Sequence, residues 1–137
     1  MQYKLIDHTA DFGLHVFGRD VQDLFVNAAH ALYDIITDAE VLEGRQEYEI
    51  RIHGDDWPDL MVNWLREILF FQTGRDLLIQ CVEILSISEY ELGAKLRADP
   101  WDPDRHSIKT EIKAVTYHQI QVGEGQNGWE AKIIFDV

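Results

Sequence analysis

Residues 47–52, 90–98 and 129–135 alternate apolar and polar side chains with period two, and this alternation restricts the fold more than any other feature. Successive side chains of a strand point to opposite faces, so such a row buries one face and solvates the other. Tyr48, Ile50 and Ile52 stand against Glu47, Glu49 and Arg51. Tyr90, Leu92, Ala94, Leu96 and Ala98 stand against Glu91, Lys95 and Arg97, and Trp129, Ala131, Ile133 and Phe135 form a third apolar row. Leu77 to Ile87 is nearly all apolar and reads as a more central strand. The stretch from Gly123 to Gly128 is a glycine-rich turn that joins a strand around Gln119–Val122 to the last one as a hairpin.

Two segments switch to helical spacing. Val21, Leu24, Phe25, Ala28, Leu32, Ile35 and Ile36 fall on one helix face, with Asp20 as N-cap and Asp23 favourable for the helix dipole. Leu60, Met61, Trp64, Leu65, Ile68 and Leu69 form a second stripe, opened by Asp55, Asp56 and Pro58 and closed by Gly74. One-sided strands, hairpin connections and only two long helices predict an α+β protein. Its antiparallel β-sheets carry the two amphipathic α-helices on their apolar side. No repeat, low-complexity segment or linker divides the chain, so residues 1–137 read as one domain.

The balance of 12 basic against 25 acidic residues, a net charge of −13, bears on partners. Phosphate-backbone binding draws its affinity from Lys and Arg, so stand-alone nucleic-acid binding is not expected. Meeting a basic protein suits this charge better, with plain solubility as the simpler reading. The one cysteine, Cys81, sits in an apolar run where its thiol is inert, which fits a reducing, cytoplasmic setting. A lone Lys4 near the start and an apolar run no longer than Ile68–Phe71 predict neither signal peptide nor membrane span.

The clearest chemical signal lies at the two ends, in Asp7-His8-Thr9-Ala10-Asp11 and Ile133-Ile134-Phe135-Asp136-Val137. Asp136 and the α-carboxylate of Val137 stand side by side, and Asp11 adds a third carboxylate if the ends meet. Clustered carboxylates repel one another unless a hard cation sits among them. Oxygen-only donors favour Ca²⁺, Mg²⁺ or Mn²⁺ over zinc. With Trp129, Ala131, Ile133 and Phe135 toward the core, Asp136 points to the opposite face. Asp11, in the turn before the strand-like Gly13 to Phe17, reaches it only if the two strands are neighbours.

Several segments, in order over nearly the whole chain, resemble the archease family. They are Asp-His-Thr-Ala-Asp-Phe-Gly-Leu at 7–14, Phe25 to Leu32, Trp64 to Phe70, Arg105-His106, Ile112 to His118, Gly128 to Ala131 and Ile134 to Val137. The resemblance implies a small acidic protein that assists the RtcB-type RNA ligase. That enzyme joins RNA ends bearing a 2′,3′-cyclic phosphate or 3′-phosphate to a 5′-hydroxyl, as in tRNA splicing and RNA repair. It implies promotion of ligase guanylylation and of repeated turnover, with RNA and GTP engaged only through the ligase. It also implies a divalent-cation site whose ligands fall on Asp11, Asp136 and Val137, and a functional lysine at Lys113. Many family members carry a glycine-containing stretch before the Arg-His pair, where this chain reads Asp99-Pro100-Trp101-Asp102-Pro103-Asp104.

Lys113 lies among Ile112, Ala114 and Val115 in what reads as an apolar strand. A lysine there either snorkels to the surface or meets a nucleotide phosphate or a ligase carboxylate. His8 and His118 read as hydrogen-bonding groups, at the margin of the site or purely structural. His30 reads as structural, and Arg105-His106 as either a partner contact or a loop anchor. Trp64 and Trp129 read as core, and Trp101 as an exposed interface aromatic. Three functions compete: a ligase activator without catalysis of its own, a small metal-dependent phosphoester hydrolase using His8 or His118 as base, and an acidic chaperone-like module. No phosphate-cradling glycine loop, nucleophile motif or dense ligand cluster supports the hydrolase.

Overall fold

Asp20 and Asp56 open the two helices by the same local chemistry. The computed structural model describes residues 2–7 and 11–137, with α1 at Val21–Ile36 and α2 at Trp57–Thr73. Asp20 Oδ1 accepts from the Asp23 N–H at 2.8 Å, and Asp56 Oδ1 accepts from the Asp59 N–H at 2.9 Å. Each satisfies a donor that the first helical turn leaves without a partner. Asp23 and Asp59 return the contact, accepting from the backbone N–H of Arg19 and Asp55, each at 2.9 Å.

These starts belong to an internal repeat, contrary to the expectation of none. Gly18 to Asn27 and Gly54 to Asn63 share the pattern Gly-x-Asp-x-x-Asp-Leu-x-Val-Asn. Asn27 donates to the Phe17 carbonyl and Asn63 to the His53 carbonyl, each at 2.8 Å, locking helix to preceding strand. A Cβ on Gly18 would stand 2.4 Å from the Leu24 nitrogen, and one on Gly54 2.6 Å from that of Leu60. Neither place admits a side chain.

The repeat extends to topology. The strands are β1 (Tyr3–Asp7), β2 (Asp11–Gly18), β3 (Gln46–His53), β4 (Leu77–Ile87), β5 (Glu91–Pro100), β6 (Ala114–Gly125) and β7 (Gly128–Asp136). They form two antiparallel sheets, ordered β1-β2-β7-β6 and β3-β5-β4. The second unit is β3-α2-β4-β5. The first, β2-α1 followed by β6-β7, has the whole second unit inserted after its helix, and its sheet order β2-β7-β6 matches β3-β5-β4. β1 is an added edge.

Each helix packs on both sheets, α1 on β2 and β4, α2 on β6, β4 and β3. Trp64, fully buried, donates from its indole nitrogen to the Phe25 carbonyl at 2.9 Å, tying α2 to α1. The three predicted rows face this core from Ile52, from Leu92, Ala94, Leu96 and Ala98, and from Ala131, Ile133 and Phe135. Among the described residues no helix is long and apolar enough to cross a membrane.

Several expectations need correction. β4 is an edge strand and β5 is central. β4 is apolar because both helices cover it, and register shifts at Ile79/Cys81 and Ile84/Ser86 bend it in the manner of edges. Tyr90 is 61% exposed in the turn before β5, so that row begins at Leu92. The last hairpin is tighter than its glycines imply, with β6 and β7 meeting across Gln126 and Asn127. Trp129 and Trp101 are both half-buried, so Trp101 is not an exposed aromatic.

Candidate functional site

The register of β2 against β7 sets Asp11 directly opposite Asp136. Opposed residues of an antiparallel pair share a face, with Cβ atoms ~4.5–5.5 Å apart. The condition that sequence left open, neighbouring end strands, is therefore met. On its other side Asp136 faces Ala114, and its carbonyl accepts from the Lys113 N–H at 2.8 Å. Lys113 precedes β6 rather than lying within a strand, and its side chain is exposed between buried Ile112 and half-buried Ala114. Asp136 and Val137 are exposed and Asp11 is half-buried, so one strand end gathers these four residues at the surface.

The repeat supplies an internal control. Helix starts align at an offset of 36, making Glu47 the counterpart of Asp11, and strand pairing makes Arg97 the counterpart of Asp136. Glu47 and Arg97 face each other across β3 and β5 as an ion pair at 3.2 Å, with Lys95 at 3.9 Å from the same carboxylate. Where the second unit neutralises itself, the first opposes two carboxylates. Like charges directly opposed are destabilising. Among the described residues no group of three His, Cys, Asp or Glu side chains stands ready for a metal. The donors that fit a hard cation are Asp11, Asp136 and the main-chain carboxylate of Val137, an oxygen-only set.

The remaining candidates lie elsewhere. His8 falls outside the described residues. His118 is exposed in an irregular part of β6, where its N–H donates to Thr116 Oγ1 at 3.2 Å. Arg105 and His106 line a cleft of about 300 Å³ after β5, with Glu43, Arg45, Asp99 and Trp101. Arg105 pairs with Glu43, whose carboxylate also takes Arg45 at 2.9 and 3.1 Å. Hydrogen bonds from Arg45 and Arg105 hold the Glu43 carboxyl down at about 2. The His106 N–H donates to the Asp102 carbonyl at 2.7 Å, its Nδ1 accepts from the Asp102 N–H at 3.0 Å, and its ring lies against Trp101. Of the two readings left open for this pair, these contacts support the loop anchor.

Sequence reasoning passed over two features, Asp99 and Tyr117, and read a third, His30, only as structural. Asp99, 4% exposed, accepts from the backbone N–H groups of Glu43, Gly44 and Arg45 at 2.6, 2.9 and 3.0 Å. Burial pushes its pKa up, but these bonds outweigh burial and hold it below the ordinary range. Tyr117 donates its hydroxyl to Asp59 Oδ1 at 2.6 Å, and Arg66 lies 4.7 Å from its ring centroid. That bond lowers the Asp59 pKa and raises that of Tyr117. His30 has a buried Nε2 with no hydrogen-bond partner among the described residues, and burial lowers its pKa against the opposing pull of Asp34. Only Tyr117 carried a signal, through its place in the segment after Lys113.

Comparison with known proteins agrees across the full length. The archease protein family model matches residues 3–137. Protein archease of Methanopyrus kandleri is 38% identical, with both chains covered completely, and that of Pyrococcus abyssi is 32% identical over 99% of each. The solution structure of Methanobacterium thermoautotrophicum protein 1598 superposes with a TM-score of 0.81 at 27% identity, covering 98% of both chains. The chain belongs to the archease family.

Proposed function

We propose that this protein activates an RtcB-type RNA ligase, promoting guanylylation of the ligase and its multiple turnover in tRNA splicing and RNA repair, without catalysis of its own. The observation that carries the reading is the cross-strand pair Asp11–Asp136, which among the described residues lacks the basic partner that its repeat counterpart Glu47 has in Arg97. In this reading Asp11, Asp136 and the Val137 carboxylate hold Ca²⁺, Mg²⁺ or Mn²⁺. When bound, the cation supplies positive charge for phosphate oxygens at the ligase's nucleotide site.

The chain's own residues act by position. The Lys113 N–H fixes the Asp136 backbone, so the exposed Lys113 ammonium is carried on the same strand end as the two carboxylates. From there it meets a phosphate of the nucleotide or a carboxylate of the ligase as a compact, mobile charge. The net charge of −13 favours encounter with a basic protein surface over RNA.

The test is ligase guanylylation under multiple turnover, with and without this protein and with Asp136→Ala. Acceleration by wild type and its loss in a folded Asp136→Ala variant is expected. Equal acceleration by both removes the cation from the mechanism. Absence of acceleration by wild type overturns the proposal, and turnover of a model phosphoester by the protein alone favours the hydrolase instead.

A further inference from the structure

β6 departs from regular pairing only once, and the departure is large. Thr116 pairs with Ile134 and Gln121 with Lys132, so the four residues 117–120 stand opposite the single residue Ile133. The equivalent edge strand of the second unit, β4, has two shifts of one residue each, at Gln80 and Leu85. The enlarged bulge is thus peculiar to the unit that carries Asp11 and Asp136.

The bulge is firmly built. Gln119 sits in the left-handed region at φ 54°, a conformation that costs a non-glycine residue about 1 kcal/mol or more and persists only where surroundings impose it. Thr116 Oγ1 donates to the Ile134 carbonyl at 2.9 Å and accepts from the His118 N–H, closing the bulge at its base. Ile120 packs against the core. The Arg66 Nε donates to the Val115 carbonyl at 3.2 Å, which holds the strand just before the bulge to α2.

What this framework displays is an aromatic ring. Tyr117 is 46% exposed, yet its hydroxyl is bound to Asp59 and one face is covered by Arg66. An exposed tyrosine already fixed in one rotamer loses little entropy when a partner covers it, which is the character of an interface anchor. His118 and Gln119 stand exposed beside it. Two carboxylates at the start of α2 stand near the ring, Asp59 in contact with its hydroxyl and Asp55 beside it. An anchor set beside acidic groups fits a basic protein surface and repels nucleic acid.

We propose that the bulge at Tyr117–Ile120 is the element by which the protein docks on its ligase, with Tyr117 as the anchor and His118 and Gln119 as its polar rim. This rests on the activator reading. Lys113 and Asp136 lie a few residues from the bulge in the same pair of strands, within reach of a partner docked there.

The test titrates Tyr117→Ala, Tyr117→Phe and wild type into multiple-turnover guanylylation by the purified RtcB-type ligase, and measures Ca²⁺ binding to each protein alone by calorimetry. Tyr117→Ala is expected to raise the half-activating concentration about tenfold or more, as loss of a hot-spot aromatic does. The saturating rate and Ca²⁺ affinity should stay unchanged, and Tyr117→Phe should lie much nearer wild type. An unchanged half-activating concentration for a folded Tyr117→Ala overturns the docking role while wild-type acceleration leaves the activator reading standing. A fall in saturating rate or Ca²⁺ affinity with no change in half-activating concentration also overturns it. If wild type accelerates nothing, both readings fail together.

Discussion

Replacing Asp136 with asparagine should change stability in opposite directions with and without a divalent cation. Asp11 and Asp136 are directly opposed across β2 and β7 at a solvent-facing strand end. Two carboxylates about 5 Å apart repel by ~1 kcal/mol in water, and opposed like charges on sheets cost amounts of the same order. In chelator, Asp136→Asn should therefore stabilise the fold by about 0.5–1 kcal/mol. A cation at about 100 times its Kd adds ~2.7 kcal/mol to the wild type, worth roughly 10 °C in Tm for a domain of this size. The variant, lacking one carboxylate, should gain little. The assay is thermal unfolding by circular dichroism in EDTA and in millimolar Ca²⁺ or Mg²⁺. Glu47→Gln in the repeat counterpart is the control, since losing the exposed pair with Arg97 costs only about 0.2–1 kcal/mol and adds no cation dependence. A wild-type Tm indifferent to cations, or an asparagine variant with the full cation shift, refutes the reasoning.

Asp99→Ala strands three backbone N–H groups on Glu43, Gly44 and Arg45, and urea denaturation should show a loss of about 3–5 kcal/mol. The Asp99 carboxyl lies below its unfolded value, so its contribution is full above about pH 4 and lost as pH falls through the folded pKa. For His30 the shift is also downward but the group is a base, and folding favours its neutral form. Its contribution is full above the unfolded value of about 6.5 and is lost as pH falls from there toward the folded pKa. His30→Phe should narrow the Tm difference between pH 7.5 and pH 5.5, and an unchanged difference places the acid sensitivity elsewhere.

Both helices were legible because their signals are local. A cap, an acidic third residue and an apolar stripe all act within about four residues, and Asp20 and Asp56 start α1 and α2 where the pattern says. Strand order was not legible, because nothing within Leu77–Ile87 records that both helices cover it while its outer edge stays free. The left-handed Gln119 left no trace either, since glutamine has no preference for that conformation. Arg105 and His106 are ambiguous in sequence because Glu43, the partner of the arginine, is distant in the chain.

The repeat shows most clearly why chemistry and fold separate here. Its two copies agree where backbone groups need partners, at Gly18 and Gly54, at the aspartates two and five residues after each, and at Asn27 and Asn63. Those contacts build the same unit twice. Among the opposed pairs where the copies differ is Asp11 with Asp136 against Glu47 with Arg97. Nothing in the shared fold requires two carboxylates there, since the second unit folds with a neutral pair at the same register. A fold that tolerates the neutral pair has no structural need of two opposed acids, and the proposed cation would supply a reason for them.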